Sequence, residues 1–286
     1  MTLGKITALY RYPVKSMGGE QHASLSLGMQ GIPGDRAWAV RDEKLGGIRG
    51  GKRFAQLMSC SARYLDEPAV SGSSPAQITL PSGATLMTGD DSVASELTAL
   101  IGSPVSFWPL LPKEAVDHYK RGAPVLEDME AEFRRMFARE PDEPLPDLSA
   151  FPPELMEFES PIGTYFDAFP LLLLTQQSLE TMSQAAPEQT YDVRRFRPNI
   201  LLDCATGEDL PERAWEGRTL KIGAATLKLE LNCPRCVMTT HGFADLPKDP
   251  GIMRSLVKHA HGELGIYASV IEPGAVKVGD TLEFSE

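Results

Sequence analysis

Short β-type runs broken by glycine and proline are the feature that most constrains this chain. The stretches 5–12, 22–27, 37–41, 56–65, 77–80 and 84–88 are rich in strand-forming residues. Gly18-Gly19, the stretch 31–34, Gly46-Gly47, Gly50-Gly51 and Pro81-Ser82-Gly83 separate them. Strands of this length, interrupted this often, predict a barrel or a sandwich. One helix is expected over 91–101. Val93, Leu97 and Leu100 share a face, Asp90 or Asp91 caps the start, and Gly102 stops it.

The second half mixes the two periodicities. Residues 171–174 read as a buried strand, and Thr175 follows as the N-cap of a helix to about 184. Asp249-Pro250 opens another helix, with Ile252, Leu256 and His259 on one face. Residues 225–231 alternate apolar and polar, as a half-buried strand does. Strands at 265–271, 275–278 and 281–284 close the chain. The expected class is α+β and β-rich.

Between these halves lies a distinct segment. Residues 127–159 hold eleven acidic and three basic side chains, a net −8 of the chain's −11. Pro141, Pro144, Pro146, Pro152 and Pro153 make it irregular, with one short helix expected near 129–139. It reads as an insert: a solvated excursion, a flap over a site, or a docking face for a basic partner. Nothing in it looks catalytic.

The overall balance excludes several classes. A net charge of −11 argues against nucleic acid or an anionic membrane as the main partner. No apolar run approaches the ~20 residues of a membrane helix. Lys5, Arg11 and Lys15 interrupt any signal-peptide core. Four cysteines in 286 residues do not make a secreted disulfide framework, so the expected compartment is the cytoplasm.

Chemistry concentrates in three places. Leu231-Asn232-Cys233-Pro234-Arg235-Cys236-Val237-Met238-Thr239-Thr240 sets two of the four cysteines beside an arginine. A guanidinium next to a thiol favours the thiolate, which can act as nucleophile, redox sulfur or soft-metal ligand. A buried structural pair is the plain alternative. The expected strand over 237–240 speaks against a thioredoxin-like βα junction, and no spacing supplies the four ligands of a zinc site. Arg194, Arg195 and Arg197 precede the apolar run 200–202, which is costly unless an anion meets them. Thr175 adds a helix start whose free N–H groups suit an anion. Near the N-terminus, Lys15-Ser16 and Asp35-Arg36 complete a positively lined pocket. The glycines at 46–51 lack the Lys-Ser/Thr of a phosphate loop.

Four stretches, in this order, carry a resemblance over nearly the whole chain. They are Tyr-Pro-Val-Lys-Ser at 12–16, Gly-Asp-Arg-Ala-Trp at 34–38, Phe-Arg-Pro-Asn-Ile at 196–200 and Cys-Pro-Arg-Cys-Val-Met-Thr-Thr at 233–240. The chain resembles the MOSC-domain family. The resemblance implies an N-terminal β-barrel domain over 1–120 and a MOSC β-barrel domain with flanking helices over 121–286. It implies a molybdenum cofactor, with Cys236 as metal ligand and catalytic centre. Lys15, Ser16, Arg36, Thr175, Arg197 and Asn199 would hold the pterin and its phosphate. The implied activity is reduction of small N-hydroxylated compounds, with electrons from a separate donor protein. Sulfur or cofactor carriage through a cysteine persulfide, or cofactor binding without catalysis, are the alternatives. Pyridoxal phosphate binding is a further association of the resemblance. After Thr240 the sequence departs from the family pattern, and His241 and Asp245 there are candidate acids.

Overall fold

The computed structural model describes residues 2–204 and 209–285. Before the insert come β1 (Gly4–Arg11), β2 (Glu20–His22), β3 (Ser24–Leu27), β4 (Trp38–Asp42), β5 (Ile48–Arg49), β6 (Ser61–Tyr64), β7 (Ala76–Thr79), β8 (Thr85–Met87) and β9 (Val105–Pro109). Helices α1 (Val93–Ile101) and α2 (Val116–Tyr119) accompany them, and α3 (Met129–Phe137) lies in the insert. Beyond the insert follow β10 (Leu171–Thr175), α4 (Gln176–Ala185), α5 (Val193–Phe196), β11 (Ile200–Cys204), β12 (Thr219–Ile222) and β13 (Ala225–Pro234). Then α6 (Gly251–Ala260), β14 (Glu263–Glu272), β15 (Gly274–Lys277) and β16 (Thr281–Phe284) complete the chain.

Strand order β11-β10-β14-β13-β12-β16-β1, closed by pairing of β1 with β11, makes a seven-stranded barrel. Period-two alternation fills it. Ile6, Leu171, Leu173, Ile200, Leu202, Leu227, Leu229 and Ile266 point into one buried cluster. The intervening Ala8, Leu174 and Leu201 face outward, where Met182 of α4, Phe196 of α5 and Ile252 and Leu256 of α6 cover them. β10 and β11 run parallel, so the chain between them must cross over, and α4 and α5 are that crossover.

The N-terminal strands form two three-stranded sheets, β5-β4-β9 and β6-β7-β8. Val14, Trp38, Val40, Leu57, Ile78, Leu97 and Val105 make their common core. The two expected domains interlock, because β1 from the first completes the barrel of the second, and β3 pairs with β15.

Four local expectations differ. The stretch 56–65 begins as a 3-10 turn over Ala55–Ser59, with strand only from Ser61. Adjacent Leu57 and Met58 are both buried there, which strand alternation does not allow. Val237–Thr240 is also a 3-10 turn rather than a strand. The Thr239 and Thr240 hydroxyls donate back to the carbonyls of Cys236 and Val237, at 3.0 and 2.7 Å, and hold that turn. α1 starts after Ser92, while the Asp90 carboxylate accepts from Met87 N–H instead of capping. His259 is exposed, off the buried face of α6.

Candidate functional site

The four sequence stretches converge on a cavity of about 590 Å³ between the barrel, the N-terminal sheets and the insert. Its polar side is built from turns in unusual backbone. Six non-glycine residues among those described have positive φ, and three of them are Ser16 at 69°, Arg36 at 50° and Arg197 at 56°. Left-handed backbone costs such residues on the order of 1 kcal/mol or more, and it persists where surrounding structure fixes it.

Lys15 is buried. Its ammonium donates to Tyr165 O at 2.7 Å and to Asp167 Oδ1 at 2.8 Å. Ser16 Oγ accepts from Gly51 N–H at 2.8 Å, which leaves its own hydroxyl proton to donate. A side chain at Gly50 would collide with Ser16 Oγ, and one at Gly51 would lie 2.9 Å from Met238 Cε. Close approach therefore explains that glycine pair.

Arg36 and Arg197 lie over the Tyr12 ring, at 5.0 and 4.3 Å from its centroid. Their electrostatics differ. Burial works against the charge of Arg36, but Asp35, Tyr12 and Asp167 together hold the guanidinium above its ordinary value. Burial pushes Arg197 down to about 10, and neighbouring Arg36 adds to the effect. Arg197 Nη1 donates to Met17 O at 2.6 Å, and its Nη2 is buried without a hydrogen-bond partner.

Asn199 is different in kind. Its Nδ2 donates to Tyr10 O and Asp35 Oδ2, and its Oδ1 accepts from Leu172 N–H and Arg36. All four of its bonding capacities are in use. Asn199 therefore fixes Asp35 and Arg36 and presents no free donor to the cavity.

The two cysteines divide the thiol chemistry. Cys236 is half-buried and lines the cavity at the start of the 237–240 turn. Cys233 is buried, and Arg235 Nη1 donates to its sulfur at 3.0 Å. Burial nevertheless pushes the Cys233 thiol up, although Arg235 and Tyr267 pull it down. The guanidinium between the cysteines thus serves Cys233 and, at 2.8 Å, the carbonyl of Phe196.

Thr175 caps α4, as its Oγ1 accepts from Ser178 N–H at 3.1 Å. It lies away from the cavity, because Glu212 fills the helix start: its Oε2 accepts from Thr175 at 2.7 Å and from Ser178 at 2.6 Å. Arg194 points outward to Asp192 and Asp245, both at 2.7 Å. Arg195 touches the cavity wall, with its two terminal nitrogens on the carbonyls of Thr239, His241 and Pro247 and its Nε unpaired. Neither candidate acid lines the cavity. Asp245 is held by Arg194, and His241 Nε2 meets Gly51 O at 2.9 Å.

Sequence reading missed Lys52 and Asp167, which meet at 3.5 Å inside the cavity. The Asp167 side chain remains 43% accessible there. Burial would raise its carboxyl, but Lys15 and Lys52 hold it well below the usual range. Burial works against the Lys52 charge, yet Asp167 and then Cys236 keep its ammonium above its ordinary value. Lys52 follows Gly51, and that adjacency to a close-packed turn was the only signal available. The insert forms the remaining wall, with Phe133, Met136, Phe137 and Phe151 facing in. Among the described residues, no three His, Cys, Asp or Glu side chains are set to hold a metal by themselves, and no helix is long and apolar enough to cross a membrane.

Comparison with known proteins agrees with this arrangement. The MOSC domain model matches residues 163–283, and the MOSC N-terminal beta barrel domain model matches residues 3–99. The mitochondrial amidoxime reducing component 2 of Homo sapiens is 34% identical over 130 residues. The mitochondrial amidoxime-reducing component 1 of Xenopus laevis is 30% identical over 131 residues. These matches cover 41% of this chain and 37% and 36% of the two relatives, so the chain spans little more than a third of their length. The YUAD protein from Bacillus subtilis superposes over 99% of this chain and 94% of its own, with a TM-score of 0.46 and 15% identity. With both domain models matched in order and the four stretches gathered on one cavity, the chain belongs to the MOSC-domain family.

Proposed function

We propose that this protein is a molybdenum-cofactor reductase of small N-hydroxylated compounds. The observation that carries the reading is the pairing, in one cavity, of an accessible thiol with a half-buried guanidinium whose inner nitrogen lacks a partner. Cys236 offers a soft ligand. Arg197 has an orphaned Nη2 and a guanidinium pushed down by burial, a cost that a bound phosphate would relieve. The residues present fit the cofactor, since a single cysteine is the only protein ligand it asks for and the cationic side suits its phosphate.

In this reading Cys236 Sγ holds the metal. Arg197, Arg36 and the Ser16 hydroxyl hold the phosphate and pterin. When bound, the reduced cofactor would supply two electrons and an acceptor site for the substrate's oxygen. Asn199 and Asp35 orient Arg36 through the hydrogen bonds described above. Lys15 and Lys52 fix Asp167 as a carboxylate, which keeps a negative charge beside the reacting region. The overall reaction breaks the N–O bond and releases water, consuming two electrons and two protons. The electrons would come from a separate donor protein. The amidoxime-reducing relatives support this class by name only.

The test is purification from a cofactor-competent host, followed by elemental analysis for molybdenum and assay of benzamidoxime reduction with a reconstituted donor chain. Bound molybdenum with turnover is expected. Protein without molybdenum and without turnover overturns the reading, and a persulfide on Cys236 without turnover replaces it with sulfur carriage.

A further inference from the structure

The cavity has two chemically different halves, and the chemistry above uses one. The other is apolar and is made largely by the insert. Helix α3 is amphipathic: Glu130 and Arg134 pair on its outer side at 2.8 Å, while Phe133, Met136 and Phe137 line the cavity. The rings of Phe133 and Phe137 stack with centroids 6.3 Å apart. Phe151 and Phe169 extend the apolar wall. None of these five side chains belongs to the four hydrophobic clusters that make up the core of the described residues. Large apolar groups that serve no core and face a cavity are the material of a ligand pocket.

This wall is continuous with the thiol site. Tyr267 lies 5.5 Å from Phe169 and 6.2 Å from Phe151 between ring centroids. Tyr267 also lines the cavity together with Cys233, three residues before Cys236. Anything seated at Cys236 has Tyr267 as a neighbour, then Phe151 and Phe169, then α3. We infer that the insert-built half is a subsite that selects N-hydroxylated compounds bearing an aromatic or long alkyl substituent over those bearing a small one. The inference rests on the reductase reading for the identity of the polar head. Unbranched methionines adapt to varied shapes. Met136 inside, with Met129 and Met156 exposed at 52% and 64% at the rim, therefore gives the subsite tolerance for the form of the substituent.

The test measures binding to oxidised holoprotein by calorimetry, without electron donor, so that no turnover occurs. The probes are benzamidoxime and acetamidoxime, which share a head and differ in the substituent. Benzamidoxime is expected to bind roughly tenfold tighter or more, the low end of what an apolar group gains in a hydrophobic pocket. In the Phe133→Ala/Met136→Ala double variant that ratio should fall to about twofold, with molybdenum content at the wild-type level. Phe133→Leu, which keeps an apolar filling, should lose only part of the preference and guards against misfolding. Equal affinities in the intact protein, a preference undiminished in the double variant, or no binding of either compound would each overturn the subsite. A clear preference combined with a complete lack of reduction leaves the subsite standing and removes only the reductase reading.

Discussion

The start of α4 and the turn through α5 are both places where a barrel strand meets a helical turn. Both carry residues suited to an anion, and they reach opposite ends. At α4 the hydroxyls close on protein: Thr175 and Ser178 donate to Oε2 of Glu212, a side chain 37 positions beyond Thr175. At α5 the account stays open, with Arg197 half-buried and its buried Nη2 unpaired. Within that turn Arg195 is fully buried with both terminal nitrogens on carbonyls, whereas Arg197 gives only Nη1 to a carbonyl and turns Nη2 toward no partner. The lesson is that anion-binding residue types mark a site only where the fold leaves their capacity unspent.

Substitutions can break or sharpen that contrast. The largest effect belongs to the open side. Cys236→Ser should cut turnover by more than about 100-fold and lower molybdenum content, beyond what outer-shell partners of a metal ligand cost. Cys233→Ser, at the buried thiol that Arg235 occupies, should stay within about tenfold of wild type. Equal losses in the two variants would point to a dithiol mechanism and end the single-ligand assignment.

The two arginines of the turn come next. Arg197→Ala should reduce cofactor retention roughly 10- to 100-fold at unchanged fold, the worth of one charged hydrogen bond. Arg195→Ala should instead destabilise the protein by about 1–3 kcal/mol, as the carbonyls of Thr239, His241 and Pro247 lose their donor. Elemental analysis and denaturant melts read the two outcomes, and an exchange of roles between the variants would dissolve the contrast.

Thr175→Val should remove a helix cap worth about 1 kcal/mol and leave molybdenum content untouched. Cofactor loss in that variant would put the phosphate at α4 after all. The smallest effect is a pH dependence. Burial raises the Glu212 carboxyl above its ordinary value, outweighing the hydroxyl donors that lower it. A raised folded-state acid gives stability that is present at low pH and is lost as pH rises through its folded value. The melting temperature of Glu212→Gln should therefore gain on wild type as pH rises above the ordinary carboxylate range. Parallel curves for the two proteins would show that the buried carboxylate carries no such cost.

Alternation and punctuation in the chain already specified most of the strands, the caps at Thr175 and Asp249-Pro250, and the short helix of the insert. Those are local properties, settled by which residues repeat every second position and by which side chain can reach the next amide. The family resemblance of the four separated stretches also singled out Lys15, Ser16, Arg36, Arg197 and Cys236, and all five line the cavity. What the sequence did not contain is who meets whom across long separations. Glu212 closes Thr175, Arg235 turns to Cys233 instead of Cys236, and Asp167 falls between Lys15 and Lys52. The acidic insert likewise turns an apolar face to the cavity. Hydrogen-bond satisfaction and burial are properties of neighbours in space, so only the tertiary structure could decide which candidate groups remained free to bind.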